Sequence, residues 1–135
     1  MNLKYSFCPQ MKVYDQLREE YLPHVMYTQT RNFRSRVCNT DFNGLRFNDA
    51  NNLNKSISIF DQIKSSDLKE GLIIGGSTAF GVGASKDKHT LSSLLSEKNN
   101  FYFYNLGGRA YNGFQELILY QSLIEKVDKI KKIII

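Results

Sequence analysis

Cysteine and histidine each occur only twice in this chain of 135 residues. Neither Cys8 nor Cys38 has a second cysteine or a histidine two to four residues away, so the spacing of a zinc module is missing. A disulfide between them stays open as an alternative, with reduced thiols in an intracellular protein the simpler reading. Long apolar runs are lacking too. No stretch approaches the roughly 20 apolar residues that span a bilayer. Residues 1–11, which include Lys4, Pro9 and Gln10, have no apolar core of signal-peptide length. These absences lead to the expectation of a cytoplasmic chain with no membrane span.

Acidic residues are in deficit: 18 Lys and Arg stand against 13 Asp and Glu, a formal charge of +5. Such a surplus can favour nucleic acid. Here it is spread along the chain, and the densest group, Lys126, Lys129, Lys131 and Lys132, alternates with apolar residues. That pattern fits the solvated side of a helix end and a strand start, so no nucleic-acid partner is expected. An apolar content of 41% fits a globular core, and the length fits one domain.

Along the chain, residues 11–22 place apolar side chains at helical spacing, and Pro23 would stop the helix. Residues 24–54 are polar, with a turn-like run Thr40-Asp41-Phe42-Asn43-Gly44, and read as an irregular arm wrapped over something else. Residues 56–63 fit a short strand or a helical turn equally. From Gly71 the character changes. Gly71-Leu72-Ile73-Ile74 runs into Gly75-Gly76-Ser77-Thr78, the pattern of a buried strand ending in a tight turn. Residues 90–98 start with Thr90 as an N-cap and set Leu91, Leu94 and Leu95 on one helical face. Residues 101–106 form an aromatic strand. Asn112 can cap a helix with Gln115 three positions on and Glu116 in its first turn. Its apolar face would use Phe114, Leu117, Ile118, Ile124 and Val127, interrupted by Gln121. A strand over 130–135 follows.

Strands alternating with helices imply right-handed crossovers and a parallel sheet, hence an α/β three-layer sandwich. Residues 1–68 are expected to form an N-terminal arm, and residues 69–135 the first βαβαβ part of the domain. Because three strands and two helices supply little cover, and the chain stops inside an apolar strand, the domain is expected to continue beyond residue 135.

Ligand sites in such sheets lie beyond the carboxyl ends of the strands. Residues 75–83 and 105–112, both Gly-rich, fall there. A serine presented from a strand-end turn beside backbone N–H groups is the setting of a nucleophile. A plain βα turn whose Ser caps a helix is the alternative. Other Gly-rich motifs fit poorly. A phosphate-binding P-loop needs Lys where Val82 stands, and a dinucleotide fingerprint starting at Gly81 ends on Lys86. The α/β-hydrolase elbow needs Gly where Ala79 stands.

Gly75-Gly76-Ser77-Thr78-Ala79-Phe80-Gly81-Val82-Gly83 resembles the first motif of the SGNH/GDSL hydrolases. Asn105-Leu106-Gly107-Gly108-Arg109-Ala110-Tyr111-Asn112 resembles their second, about 30 residues later with a helix between. Residues 39–47 are similar to the Asn-x-x-Gly-Phe-Arg segment that precedes the domain in some members, so the likeness runs from 39 to 135. It implies an SGNH, flavodoxin-like sandwich and ester hydrolysis or acyl transfer, with Ser77 as nucleophile and its own N–H as one oxyanion donor. The second donor would come from the second motif, among Gly107, Gly108, Ala110 and Asn112. The family's glycine falls on Ala110, and Gly76 replaces the usual Asp. The third motif, Gly-x-Asn-Asp, and the final Asp-x-x-His do not occur. His24 and His89 lack an Asp three residues before and read as surface residues, so the chain alone is expected to be inactive. The resemblance implies a small-molecule or carbohydrate ester as substrate, an O-acetyl sugar for example, and neither a metal nor an organic cofactor. Two alternatives remain: a non-catalytic binding module of SGNH shape, to which Gly76 and Ala110 point, and a nucleotide-binding α/β domain.

Overall fold

The computed structural model describes residues 3–48, 58, 69–124 and 130–135. In chain order the elements are α1 (Leu3–Phe7), α2 (Met11–Tyr14), β1 (Glu19–Leu22), β2 (Met26–Gln29), β3 (Lys69–Gly75) and α3 (Ser77–Phe80). A 3₁₀ turn (Asp87–His89) leads into α4 (Leu91–Lys98), β4 (Phe101–Gly107), α5 (Gly113–Ile124) and β5 (Ile130–Ile134). The fold is mixed α/β.

Its centre is a three-stranded parallel sheet in the order β4-β3-β5. The apolar run Leu72 to Ile74 is buried, as expected of a strand covered on both sides. Alternate residues of a strand face opposite ways. Leu72 and Ile74 cluster with Tyr102, Tyr104 and Leu106, against which Tyr120 of α5 packs. Ile73 clusters with Phe103, and Leu95 of α4 packs there. The chain reaches β4 on one side of β3 and then β5 on the other, so β3, which leads into the Gly-rich turn, is the central strand.

The region 1–68 contributes to the same interior. Leu45 and Phe47 join the cluster of Leu72 and Ile74, so this packing crosses the boundary expected at residue 68. Strands β1 and β2 form an antiparallel hairpin with Leu22 opposite Met26. The helix expected over 11–22 therefore needs correction: it ends at Tyr14, and Glu19–Leu22 is a strand. Tyr14 and Leu17 are buried, and Met11 and Val13 pack against their cluster. Beyond the helix end Leu17 N–H turns back onto Tyr14 O, and Arg109 Nη1 donates to the carbonyls of Tyr14 and Leu17 at 3.0 Å each.

Helix α4 has its expected cap, with Thr90 Oγ1 accepting from Ser93 N, but not its expected face. Ser92, Ser93 and Ser96 are buried, whereas Leu91 and Leu94 are 42% and 40% exposed. The polar face is drawn inward by buried Asn48, whose Nδ2 donates to Ser92 O, Ser96 Oγ and Phe103 O. Helix α5 differs in the same way. Phe114 and Leu117 are exposed, and Leu119 and Ile118 pack with Val25, Tyr111, Leu22 and Tyr27. The hairpin is what rotates the buried face. Of the remaining expectations, 56–63 (Ser58 apart), the Ile124 side chain and Val127 lie outside the described residues. Cys8 is exposed, Cys38 is buried, and no disulfide joins them.

Candidate functional site

The register of the sheet places Gly75 directly opposite Gly107, so the two Gly-rich segments leave the carboxyl edge side by side. At Gly75 the backbone takes φ +147°, a region that side chains disfavour, and there the strand breaks into the turn. Ser77 is the first residue of α3, and its side chain is exposed. Gly107 permits the close approach of β4 to this helix. A Cβ there would lie 2.1 Å from Phe80 N and 2.4 Å from Ala79 C. Gly108 N–H donates to Gly75 O at 3.0 Å, and a Cβ on Gly76 would meet Tyr111 O at 3.9 Å. The turn bearing Ser77 and the loop 107–112 are thus neighbours.

The backbone donors of that loop fall into two groups. Gly107 N–H is bonded to Asn105 Oδ1 at 3.0 Å, Gly108 N–H to Gly75 O, and Tyr111 N–H to Gly108 O. Asn112 is engaged in a capping box: its Oδ1 accepts from Phe114 N and Gln115 N, and its own N–H donates to Gln115 Oε1. Among the described residues, the Ser77, Arg109 and Ala110 N–H groups have no hydrogen-bond partner. Ala110 sits at φ +59°, the left-handed region where glycine is at ease and alanine is not.

The Ser77 turn is braced from beneath by charge. Arg46 is fully buried, and its Nη1 donates to Gly81 O at 2.7 Å, Phe80 O at 3.2 Å and the Tyr14 hydroxyl at 2.8 Å. Its Nε pairs with Asp87 at 3.0 Å, and Asp87 also accepts from Asn39 N and Nδ2. Burial works against the Arg46 charge, but Cys38, Tyr14 and Asp87 outweigh it and hold the guanidinium above its usual range. Burial pushes the Tyr14 phenol up, with Arg46 opposing. The Tyr14 hydroxyl reaches Gly81 O and Ala84 O.

Both histidines are exposed. His89 Nδ1 is bonded to Ser85 Oγ at 2.7 Å, and neither histidine bonds Ser77 among the described residues. Among those residues no group of three or more His, Cys, Asp or Glu could hold a metal ion, and no helix is long and apolar enough to cross a membrane. Tyr14, Tyr27, Gln29 and Asp87, which shape the site's surroundings, have no local signal in the sequence because their partners stand tens of residues away. Only Arg46 had one, through the segment 39–47. Searches against family models and against curated proteins return no match for this chain.

Proposed function

We propose that the chain carries the nucleophile of a serine esterase of SGNH type, built on a three-layer α/β/α sandwich with α4 and α5 as outer layers. One observation carries the reading. An exposed serine stands at the carboxyl end of the central strand, beside a loop whose Arg109 and Ala110 N–H groups have no partner among the described residues. In this reading Ser77 Oγ attacks the ester carbonyl as its proton passes to a base, and the Ser77 and Ala110 N–H groups receive the tetrahedral oxyanion. Collapse expels the alcohol, and water or a second alcohol releases the acyl group. Neither His24 nor His89 is bonded to Ser77 among the described residues, so neither is assigned as the base that this reading requires. Without it, a triad serine loses on the order of a millionfold in rate. The 135-residue chain by itself is therefore expected to turn over p-nitrophenyl acetate negligibly. An O-acyl carbohydrate is the substrate class we favour.

The test is fluorophosphonate labelling of the protein as expressed from its own gene. An adduct on Ser77 that disappears in Ser77→Ala supports the reading, and labelling that survives the substitution removes it. A second reading, a binding module of the same shape, draws on the lack of any hydrogen bond to the Ser77 hydroxyl among the described residues. It predicts no adduct at all.

A further inference from the structure

The loop carrying Ala110 is gripped from outside by the β1–β2 hairpin. Gln29 Nε2 donates to Arg109 O at 3.3 Å, and the Tyr27 hydroxyl donates to Ala110 O at 2.5 Å. The orientation of the Gln29 amide is fixed, because a carbonyl oxygen can only accept. That leaves Gln29 Oε1 buried with no partner among the described residues. Stability alone disfavours such an arrangement, since a buried acceptor without a donor is unfavourable.

The two carbonyls belong to the two peptide planes that flank Ala110. In a trans peptide, C=O and N–H point in opposite directions. Holding the Arg109 carbonyl on Gln29 turns the Ala110 N–H away from the hairpin, and holding the Ala110 carbonyl on Tyr27 fixes the next plane. Together with the turn closed by Tyr111 N–H on Gly108 O at 3.3 Å, they bear on the +59° φ that alanine does not choose unaided. We propose that Tyr27 and Gln29 are positioning residues that hold Ala110 in the left-handed conformation and aim its N–H at the rim where Ser77 stands. The catalytic meaning of this rests on the esterase reading; the conformational effect does not.

The double variant Tyr27→Phe/Gln29→Met removes both donors while keeping side-chain volume and the Tyr27–Tyr111 ring contact at 6.0 Å. The first readout is the strong intraresidue Hα–HN NOE of Ala110 that marks positive φ, which is present in the wild type and lost in the variant. Its persistence in the variant overturns the proposal. The second is fluorophosphonate labelling at a temperature where both proteins are folded. Because a missing oxyanion donor costs about 10²–10³ in rate, a misaimed one is expected to lower the maximal labelling rate about tenfold with the half-saturating probe concentration unchanged. A merely structural role lowers the melting temperature and leaves that rate alone, and this result also overturns the proposal. An unlabelled wild-type protein defeats the esterase reading, and the NOE comparison then decides the hairpin's role. If the double variant does not fold, Tyr27→Phe alone carries the same two readouts.

Discussion

Arg46 Nε lies 3.0 Å from Asp87 Oδ1, with the two side chains 0% and 2% exposed, so the ion pair is wholly internal. It joins a segment of the N-terminal region to the turn that follows α3, since Arg46 also holds the carbonyls of Phe80 and Gly81. Taking one partner away leaves a buried charge uncompensated, which costs about 3–5 kcal/mol. Asp87→Asn keeps the shape of the site and removes the charge. Urea denaturation of this variant is expected to show a loss in that range, and a loss below about 1 kcal/mol would mean that the carbonyl acceptors suffice for Arg46.

Tyr14, Tyr104 and Tyr111 set the alkaline limit. Burial is the largest cause of the raised pKa in each, and Glu70 adds to it at Tyr104. A tyrosine is neutral when protonated. With the folded value above the unfolded value of about 10, the unfolded chain loses its protons first as pH rises. The contribution to stability is complete below about pH 10 and disappears as the pH climbs through the folded values. The share of tyrosinate absorbance due to these three rings should therefore appear only together with the loss of far-ultraviolet circular dichroism, above about pH 10. Ionisation of all eight tyrosines with the fold intact would contradict the burial of these rings.

Helix α4 shows where the sequence is legible and where it is not. Its existence and its Thr90 cap follow from local spacing, as do β3, β4, β5 and the Asn112–Gln115 box, because each is decided by residues within a few positions of one another. Its buried face does not, because Asn48 reaches it from 44 to 48 residues upstream. The hairpin is hidden for the same reason, since the carbonyls that follow α2 find a donor in Arg109, 92 to 95 residues away. At the site, motif order points to Ser77 and to Gly107, Gly108, Ala110 and Asn112 without choosing among the last four, while the hydrogen bonds that engage Gly107, Gly108 and Asn112 elsewhere are visible only in three dimensions. Leu94→Glu is accordingly expected to change stability by less than about 0.5 kcal/mol. Ser96→Ala, which strips a partner from Asn48 Nδ2 and Phe103 N, should cost about 1–3 kcal/mol. Thermal denaturation of the two variants side by side decides it. The reverse order would restore the leucine face as the buried one.

Ala110 offers a substitution that should help the fold. At φ +59° an alanine carries left-handed strain of about 1–2 kcal/mol, which glycine does not. Glycine also loses more backbone entropy on folding, about 0.5–1 kcal/mol relative to alanine. Ala110→Gly is expected to be neutral or stabilising by up to about 1 kcal/mol, measured as a rise in melting temperature. Destabilisation would indicate that residue 110 does not hold a left-handed conformation in solution.

Two glycines of the same loop region provide a paired test of how β4 meets α3. A methyl group on Gly107 would lie 2.1 Å from Phe80 N, a backbone atom that can move only if α3 moves, whereas one on Gly113 meets nothing within 4 Å. Gly113 is the first residue of α5 and lacks a positive φ, so Gly113→Ala should be neutral or stabilising by about 0.4–1 kcal/mol. Gly107→Ala is overpacking against main chain and should cost about 1–3 kcal/mol. It also pushes the helix that begins with Ser77, and a displacement near 1 Å can lower a positioned group's reactivity by about 10²-fold. Melting temperatures of both variants, together with their fluorophosphonate labelling rates, separate the effects. Equal behaviour of the two variants would mean that β4 and α3 do not touch as closely as the sheet register requires.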